Sequence, residues 1–252
     1  MKNSIAKRKN IAIGIISVAV MLILWELLSL LLGSKHILPG PWETLKAALG
    51  LFVEKDFLLV VGHTVLRGLI GFAIAVFFGI ALGIVAGQNS GIDAFLRPWL
   101  VVMRSTPVVA FTLLALIWFK SNGVPVFIAI LTMFPMICIN IIDGMKSVDN
   151  RLIDMARFYK VGRGRIVKEV YVPAIAPFIV SGVSSAVGIG WRAIIVGEVL
   201  SQPEYGIGSR MQSAQSFLNV EALIAWTIVA VLLSFIFEKI IRGCERKFLK
   251  WL

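Results

Sequence analysis

Charge is what this chain has least of. Asp, Glu, Lys and Arg make up 15% of its 252 residues, against 58% hydrophobic. Soluble domains run near a quarter charged, so an ordinary water-soluble fold is excluded: too much apolar surface would face water. Histidine is scarce as well. His36 and His63 have no second ligand at helical spacing, and neither GxSxG nor HExxH occurs. That argues against an intramembrane hydrolase and leaves no metal site in view. The two cysteines, Cys138 and Cys244, lie far apart with no CxxC, so neither a disulfide framework nor a zinc site is indicated. Cys138 falls in an apolar run and reads as packing. Acidic residues are also few, 14 against 25 basic, for a net charge of +11. Such an excess can mark a nucleic-acid binder. Here the basic residues gather at the ends of apolar runs, as membrane topology requires, and no nucleic-acid partner is expected.

What is present is apolar length. Six runs suit a lipid bilayer as their solvent: about 11–32, 66–87, 99–119, 124–142, 174–200 and 221–241. The expected fold class is all-α, a polytopic membrane protein of six transmembrane helices in a single domain over residues 1–252. A cleaved signal peptide is the rival reading of the first run, but its apolar core is too long and no small-x-small site follows before Lys35-His36. Six spans put both termini on one side. With that side in the cytoplasm, eighteen Lys and Arg lie inside: Lys2, Lys7, Arg8 and Lys9, then Arg97, Arg104, the 145–173 stretch and the C-terminal tail. Six lie outside, namely Lys35, Lys46, Lys55, Arg67, Lys120 and Arg210. The bias places both termini and residues 145–173 in the cytoplasm.

Several spans carry features beyond hydropathy. After the first comes a Leu38-Pro39-Gly40-Pro41 turn, with Pro41 suited to a first helical position. A short amphipathic helix follows, with Leu45, Ala48, Leu49 and Phe52 on one side. Gly79, Gly83 and Gly87 recur every four residues, which puts bare backbone on one helix face for close packing. The third span opens on Arg104-Ser105-Thr106-Pro107. Pro107 removes a backbone hydrogen bond, and Ser105 and Thr106 can satisfy the freed carbonyls. One reading is a satisfied kink; the other puts Ser105, Thr106 and Pro107 in a translocation path. Pro125 and Pro135 predict a bent fourth helix.

The fifth span is the most polar, with Ser181, Ser184, Ser185, Gly188 and Gly190, then Arg192 and Glu198. A mid-membrane charge costs roughly 2.5–3.5 kcal/mol on insertion scales, so Arg192 must face water or a partner. Glu198 lies about 240° round the helix from it, so the two do not pair. Either Arg192 snorkels or pairs elsewhere, or it attracts an anionic substrate, with Ser184 and Ser185 beside it.

Residues 145–173 stand apart: MKSVDNRLIDMARFYKVGRGRIVKEVYVP, with seven basic residues. Leu152, Met155, Ala156 and Tyr159 form one apolar stripe at helical spacing, and Ser147 or Asp149 can cap the start. Gly162 and Gly164 then break the pattern, and a second short amphipathic run leads to Pro173. This predicts a helix, a bend and a helix, too charged to enter the bilayer.

Asp154-Met155-Ala156 followed by Pro173 resembles the EAA loop in the membrane subunits of binding-protein-dependent ABC importers. There Glu-Ala-Ala is followed after three residues by Gly, and then by Ile-x-Leu-Pro. Asp154 stands for the Glu, Met155 for the first Ala, Val172 for the Leu; Ala156 and Pro173 match. Lys160 occupies the Gly position, a departure that Gly162 and Gly164 are expected to offset. Trp25-Glu26-Leu27-Leu28, the proline-rich turn, and Gly190-Trp191-Arg192 with Val196-Gly197-Glu198 resemble the nitrate/sulfonate/taurine group of that family. Tyr205-Gly206-Ile207-Gly208 resembles its Gly-Leu-Gly segment, which dips back as a short helix.

The resemblance implies a type I importer permease in the plasma membrane of a prokaryote. It implies a homodimer working with two ATPase subunits and an extracytoplasmic binding protein, with 145–173 as the loop that couples to the ATPase. The chain has no GxxxxGK[ST] sequence, so ATP would be bound by the partner and the chain is expected to be neither an enzyme nor a cofactor binder. An ion-coupled carrier is the alternative. It would want intramembrane carboxylates and inverted repeats, whereas Glu26 and Glu198 lie near outer ends and no repeat is visible.

Overall fold

The computed structural model describes residues 2–34 and 37–249, with side chains over 13–34 and 37–243. Lys35 and His36, the N-terminal cations, and the side chains of Cys244, Arg246, Lys247 and Lys250 lie outside the described residues. All regular structure among the described residues is helical. The chain forms two compact units, residues 1–57 with 210–229, and residues 58–209 with 230–252.

In the first unit, α1 (Lys2–Leu32) is tied to the turn after it. Trp25 Nε1 donates to Pro39 O at 3.1 Å, and Ser29 Oγ donates to Leu38 O at 2.8 Å. Pro41 opens α2 (Pro41–Leu51), as its fixed φ favours. The buried side of α2 is Thr44, Ala48 and Leu51; Leu45, Leu49 and Phe52 are exposed. Three of the four residues of the expected stripe therefore point outward, as on a helix lying against lipid, while Ala48 turns inward. Along α1 the apolar residues from Ile13 to Leu32 are likewise largely exposed, which a water-facing helix would not tolerate.

The second unit is built on α6 (Val124–Lys146), which packs against both α3 (Phe57–Gln88) and α9 (Val172–Ser201). A row on α3 repeating every four residues meets a matching row on α6. A Cβ added to Gly71 would stand 2.5 Å from Ala129 Cβ, and one at Gly79 or Gly83 would stand 2.8 Å from Ile137 Cγ2 or Ile141 Cβ. Gly87 meets Met145 in the same way. An adjoining side of α6 takes glycines of α9: Gly182 against Asn140, Gly190 against Met133, Gly197 against Pro125. Ala129, Met133, Ile137 and Ile141 are buried as a result. Backbones this close gain dispersion contacts where lipid offers no hydrophobic drive.

Four expectations need correction. The second span begins at Phe57 rather than near 66. The third is broken: α4 (Ser90–Ser105) and α5 (Val108–Trp118) meet at 100°. The residue before a proline is driven out of helical space, and Thr106 is extended, at ψ 132°. Pro107 therefore ends one helix rather than kinking it. Counting α4 and α5 as one span gives six candidate spans, otherwise five. Pro125 sits in the first turn of α6, leaving Pro135 as its interior proline. Finally, Pro173 does not open a separate segment. Helical residues run unbroken from α8 (Arg163–Ile166) through a π turn (Val167–Tyr171) into α9. Val172 N–H bonds to Val167 O there, a widened register next to a proline that has no N–H to offer.

Candidate functional site

The basic stretch folds into an elbow. In α7 (Asn150–Phe158), Asp149 is the N-cap, accepting from Arg151 N at 2.9 Å. Ser147 does not cap; its Oγ donates back to Gly144 O at 2.8 Å. α7 ends in a Schellman turn. Val161 N bonds to Ala156 O and Lys160 N to Arg157 O, both at 2.9 Å. The left-handed residue this turn requires is Lys160, at φ 54°. Gly162 is extended, at φ −60°, so neither Gly162 nor Gly164 makes the bend. The Gly position of the EAA pattern is thus the position that needs left-handed backbone, and Lys160 adopts it at a cost of about 1–2 kcal/mol.

Ile153 is the buried side chain of α7 and Ala156 is half-buried. The predicted stripe faces outward: Leu152 is 47% exposed, Met155 54%, Tyr159 73%, and Phe158 beside them 82%. Asp154 is exposed and reaches Arg157 at 3.8 Å.

Trp191 is buried and stacks on Phe237 with ring centroids 4.8 Å apart. That anchor turns the next residue, Arg192, outward into a cavity of about 600 Å³. Ser181, Ser184 and Ser185 line it from α9, one turn apart, and Glu238 and Arg242 line it from α11 (Val220–Leu249). Arg242 and Glu238 pair at 2.5 Å. Arg192 makes no ion pair with any described residue. The structure thus brings Ser184, Ser185 and Arg192 together. Ser105, Thr106 and Pro107 do not line this cavity. Thr106 Oγ1 donates to Val102 O at 2.7 Å, completing the end of α4 as a helix break requires.

A third cluster escaped the sequence reading. Glu198, fully buried, accepts from Arg67 Nη1 at 2.6 Å, Thr64 Oγ1 at 3.0 Å and Gly208 N at 3.0 Å. Arg67 also donates to Tyr205 O at 2.7 Å and Asn122 Oδ1 at 2.6 Å. Thr64 Oγ1 accepts from Ile207 N at 2.9 Å, the first residue of α10 (Ile207–Ser216). Each charge therefore has three hydrogen-bond partners, which suits a buried pair. Arg67 is no outer-surface cation. The signal that would have found it is the helix start: with α3 beginning at Phe57, Arg67 lies inside an apolar helix and demands a carboxylate. Asp93, buried in the first turn of α4, was also missed; it binds Lys146 at the end of α6 and Arg97 at 3.3 Å.

Residues 79–250 match the family described as the inner membrane component of binding-protein-dependent transport systems. The chain belongs to that family. This inner membrane component is 27% identical over 241 residues to SsuC of Bacillus subtilis (strain 168), provisionally named an aliphatic sulfonates transport permease protein. That alignment covers 94% of this chain and 87% of the relative. It is 25% identical over 253 residues to the taurine transport system permease protein TauC of Escherichia coli (strain K12), covering 98% and 91%. Its backbone is similar to a chain of the MetNI methionine ABC transporter in an inward-facing conformation. The TM-score is 0.59 at 13% identity, over 79% of this chain and 98% of that one. The likeness speaks for the fold, an importer-type permease of membrane-spanning helices. Both the elbow and the Arg192 cavity fall inside the matched region, whereas Thr64 and Arg67 precede it.

Proposed function

We propose that this permease forms the translocation path of an ATP-driven importer for a small organic or inorganic anion. It acts as a homodimer, with ATPase subunits bound at the elbow and a binding protein delivering solute from outside. Both termini and the elbow lie in the cytoplasm of a prokaryotic cell, as the charge bias favours.

The observation that carries the coupling reading is the outward stripe of α7. Leu152, Met155, Phe158 and Tyr159 are exposed at the end of a charged helix, so an apolar face awaits a groove on another protein. Asp154, Met155 and Ala156 lie in α7, Lys160 turns the loop with Gly162 extended after it, and Pro173 lies where it joins α9. ATP-driven closure of the ATPases would draw two such elbows together and tilt α9, opening the site alternately to each side. Arg192 with Ser184 and Ser185 is the part of the path facing the anion. The names of the sulfonate and taurine relatives support that class.

Leu152→Asp with Met155→Asp tests the coupling. Loss of the co-purified ATPase, with the chain still inserted in the membrane, is the expected result. An undiminished complex and undiminished uptake would refute it.

A further inference from the structure

A second cavity, of about 850 Å³, lies behind the elbow. Gly87 and Gln88 at the end of α3, and Met145 and Lys146 at the end of α6, form one wall. Ile153, Arg157 and Lys160 of the α7 turn and Arg163 of α8 form the other. Four cations line it, and none of the lining residues is a carboxylate. Lys146 is held by Asp93 and Arg157 reaches only the exposed Asp154. Lys160 and Arg163 make no ion pair with any described residue.

The cavity face of α7 is not its coupling face. Asn150, Ile153 and Arg157 line the cavity, while Leu152, Met155 and Tyr159 point away, about 160° round the helix. A protein partner seated on the apolar stripe leaves the cations to another ligand. Lys160 adds a second argument: it occupies the left-handed turn position at φ 54°, where glycine would sit without strain. Strain kept at a site that also places a charge points to a use for that charge.

We infer that this cavity binds a phosphate oxyanion, supplied by an anionic phospholipid of the adjoining leaflet. Guanidinium and ammonium groups make strong charge-assisted bonds to phosphate oxygens. Basic pockets between transmembrane helices at a membrane face suit anionic headgroups. Here the wall is made by the ends of α3 and α6, so a headgroup enters from the bilayer surface while its acyl chains stay in lipid. The placement in the cytoplasmic leaflet rests on the orientation proposed above; the phosphate chemistry does not.

The test is native mass spectrometry of the full-length permease with its ATPase, equilibrated with phosphatidylglycerol or phosphatidylcholine. Phosphatidylglycerol should be retained about tenfold more. Lys160→Gly with Arg163→Gln should abolish that preference, and Lys160→Gly alone should weaken it while raising the melting temperature, which separates charge from turn geometry. Equal retention of both lipids, or an unchanged preference in the double variant, would overturn the inference. So would inorganic phosphate displacing the lipid at equal concentration, which would assign the site to a soluble anion. Loss of the ATPase with the lipid preference intact would assign the cations to the protein partner instead. Protease access to residues 150–160 from each membrane face tests the orientation independently.

Discussion

Arg67 Nη1 sits 2.6 Å from Glu198 Oε1, with side chains 6% and 0% exposed, joining α3 to α9 across 131 residues of sequence. Around them Thr64 and Gly208 bond to Glu198, and Asn122 and Tyr205 to Arg67. This knot holds the start of α10 and the turn before α6 against the two helices. Removing one charge leaves the other buried and alone, which costs about 3–5 kcal/mol. Glu198→Leu or Arg67→Met should therefore lower the melting temperature of the detergent-solubilised protein sharply. The double substitution, which leaves no orphan charge, should lose less than the sum. Additive losses in that cycle would show that the pair is not coupled.

The glycines of α3 make a controlled comparison within one helix. A Cβ at Gly62 meets nothing within 4 Å, whereas one at Gly83 would stand 2.8 Å from Ile141 Cβ and 3.1 Å from Cys138 O. Gly62→Ala should stabilise by about 0.5–1 kcal/mol through helix propensity alone. Gly83→Ala should destabilise by about 1–3 kcal/mol, because backbones or side chains must shift in a packed interface. Thermal unfolding of the two variants in the same detergent reads the sign directly. Equal effects would mean that the α3–α6 contact is looser than described.

Much of this was legible in local sequence. The glycine row on α3, the Asp149 cap and the stripe on α7 follow from spacing, since helical periodicity fixes which residues share a face. The break at Pro107 was half legible: the proline was plain, but hydropathy across 99–119 carries no sign of direction, so a 100° turn looked like one span. The Lys160 turn was misassigned to nearby glycines because residue type was read as conformation, although the Schellman bonds demand left-handed backbone one residue past the cap, whatever stands there. The Arg67–Glu198 knot was hidden for a different reason. Its members come from distant stretches, and only the packing of α3 and α9 on α6 brings them together.

Arg192 offers the sharpest test of the anion reading. Its neighbour Trp191 is buried against Phe237, while Arg192 itself is exposed in the cavity with Ser184 and Ser185. No described carboxylate pairs with it, so Arg192→Gln leaves no orphan charge behind and assembly should survive. If it faces the solute, the substitution removes a charge-assisted hydrogen bond worth about 1.5–3 kcal/mol. Uptake of an anionic solute by reconstituted transporter should then fall about tenfold or more at limiting concentration. Arg192→Lys keeps the charge but not the planar fork, and should recover part of the rate. Arg242 already has Glu238 as a partner at 2.5 Å, so Arg242→Gln should cost uptake less than Arg192→Gln. An undiminished rate in Arg192→Gln would return Arg192 to the snorkelling role and move the anion path elsewhere.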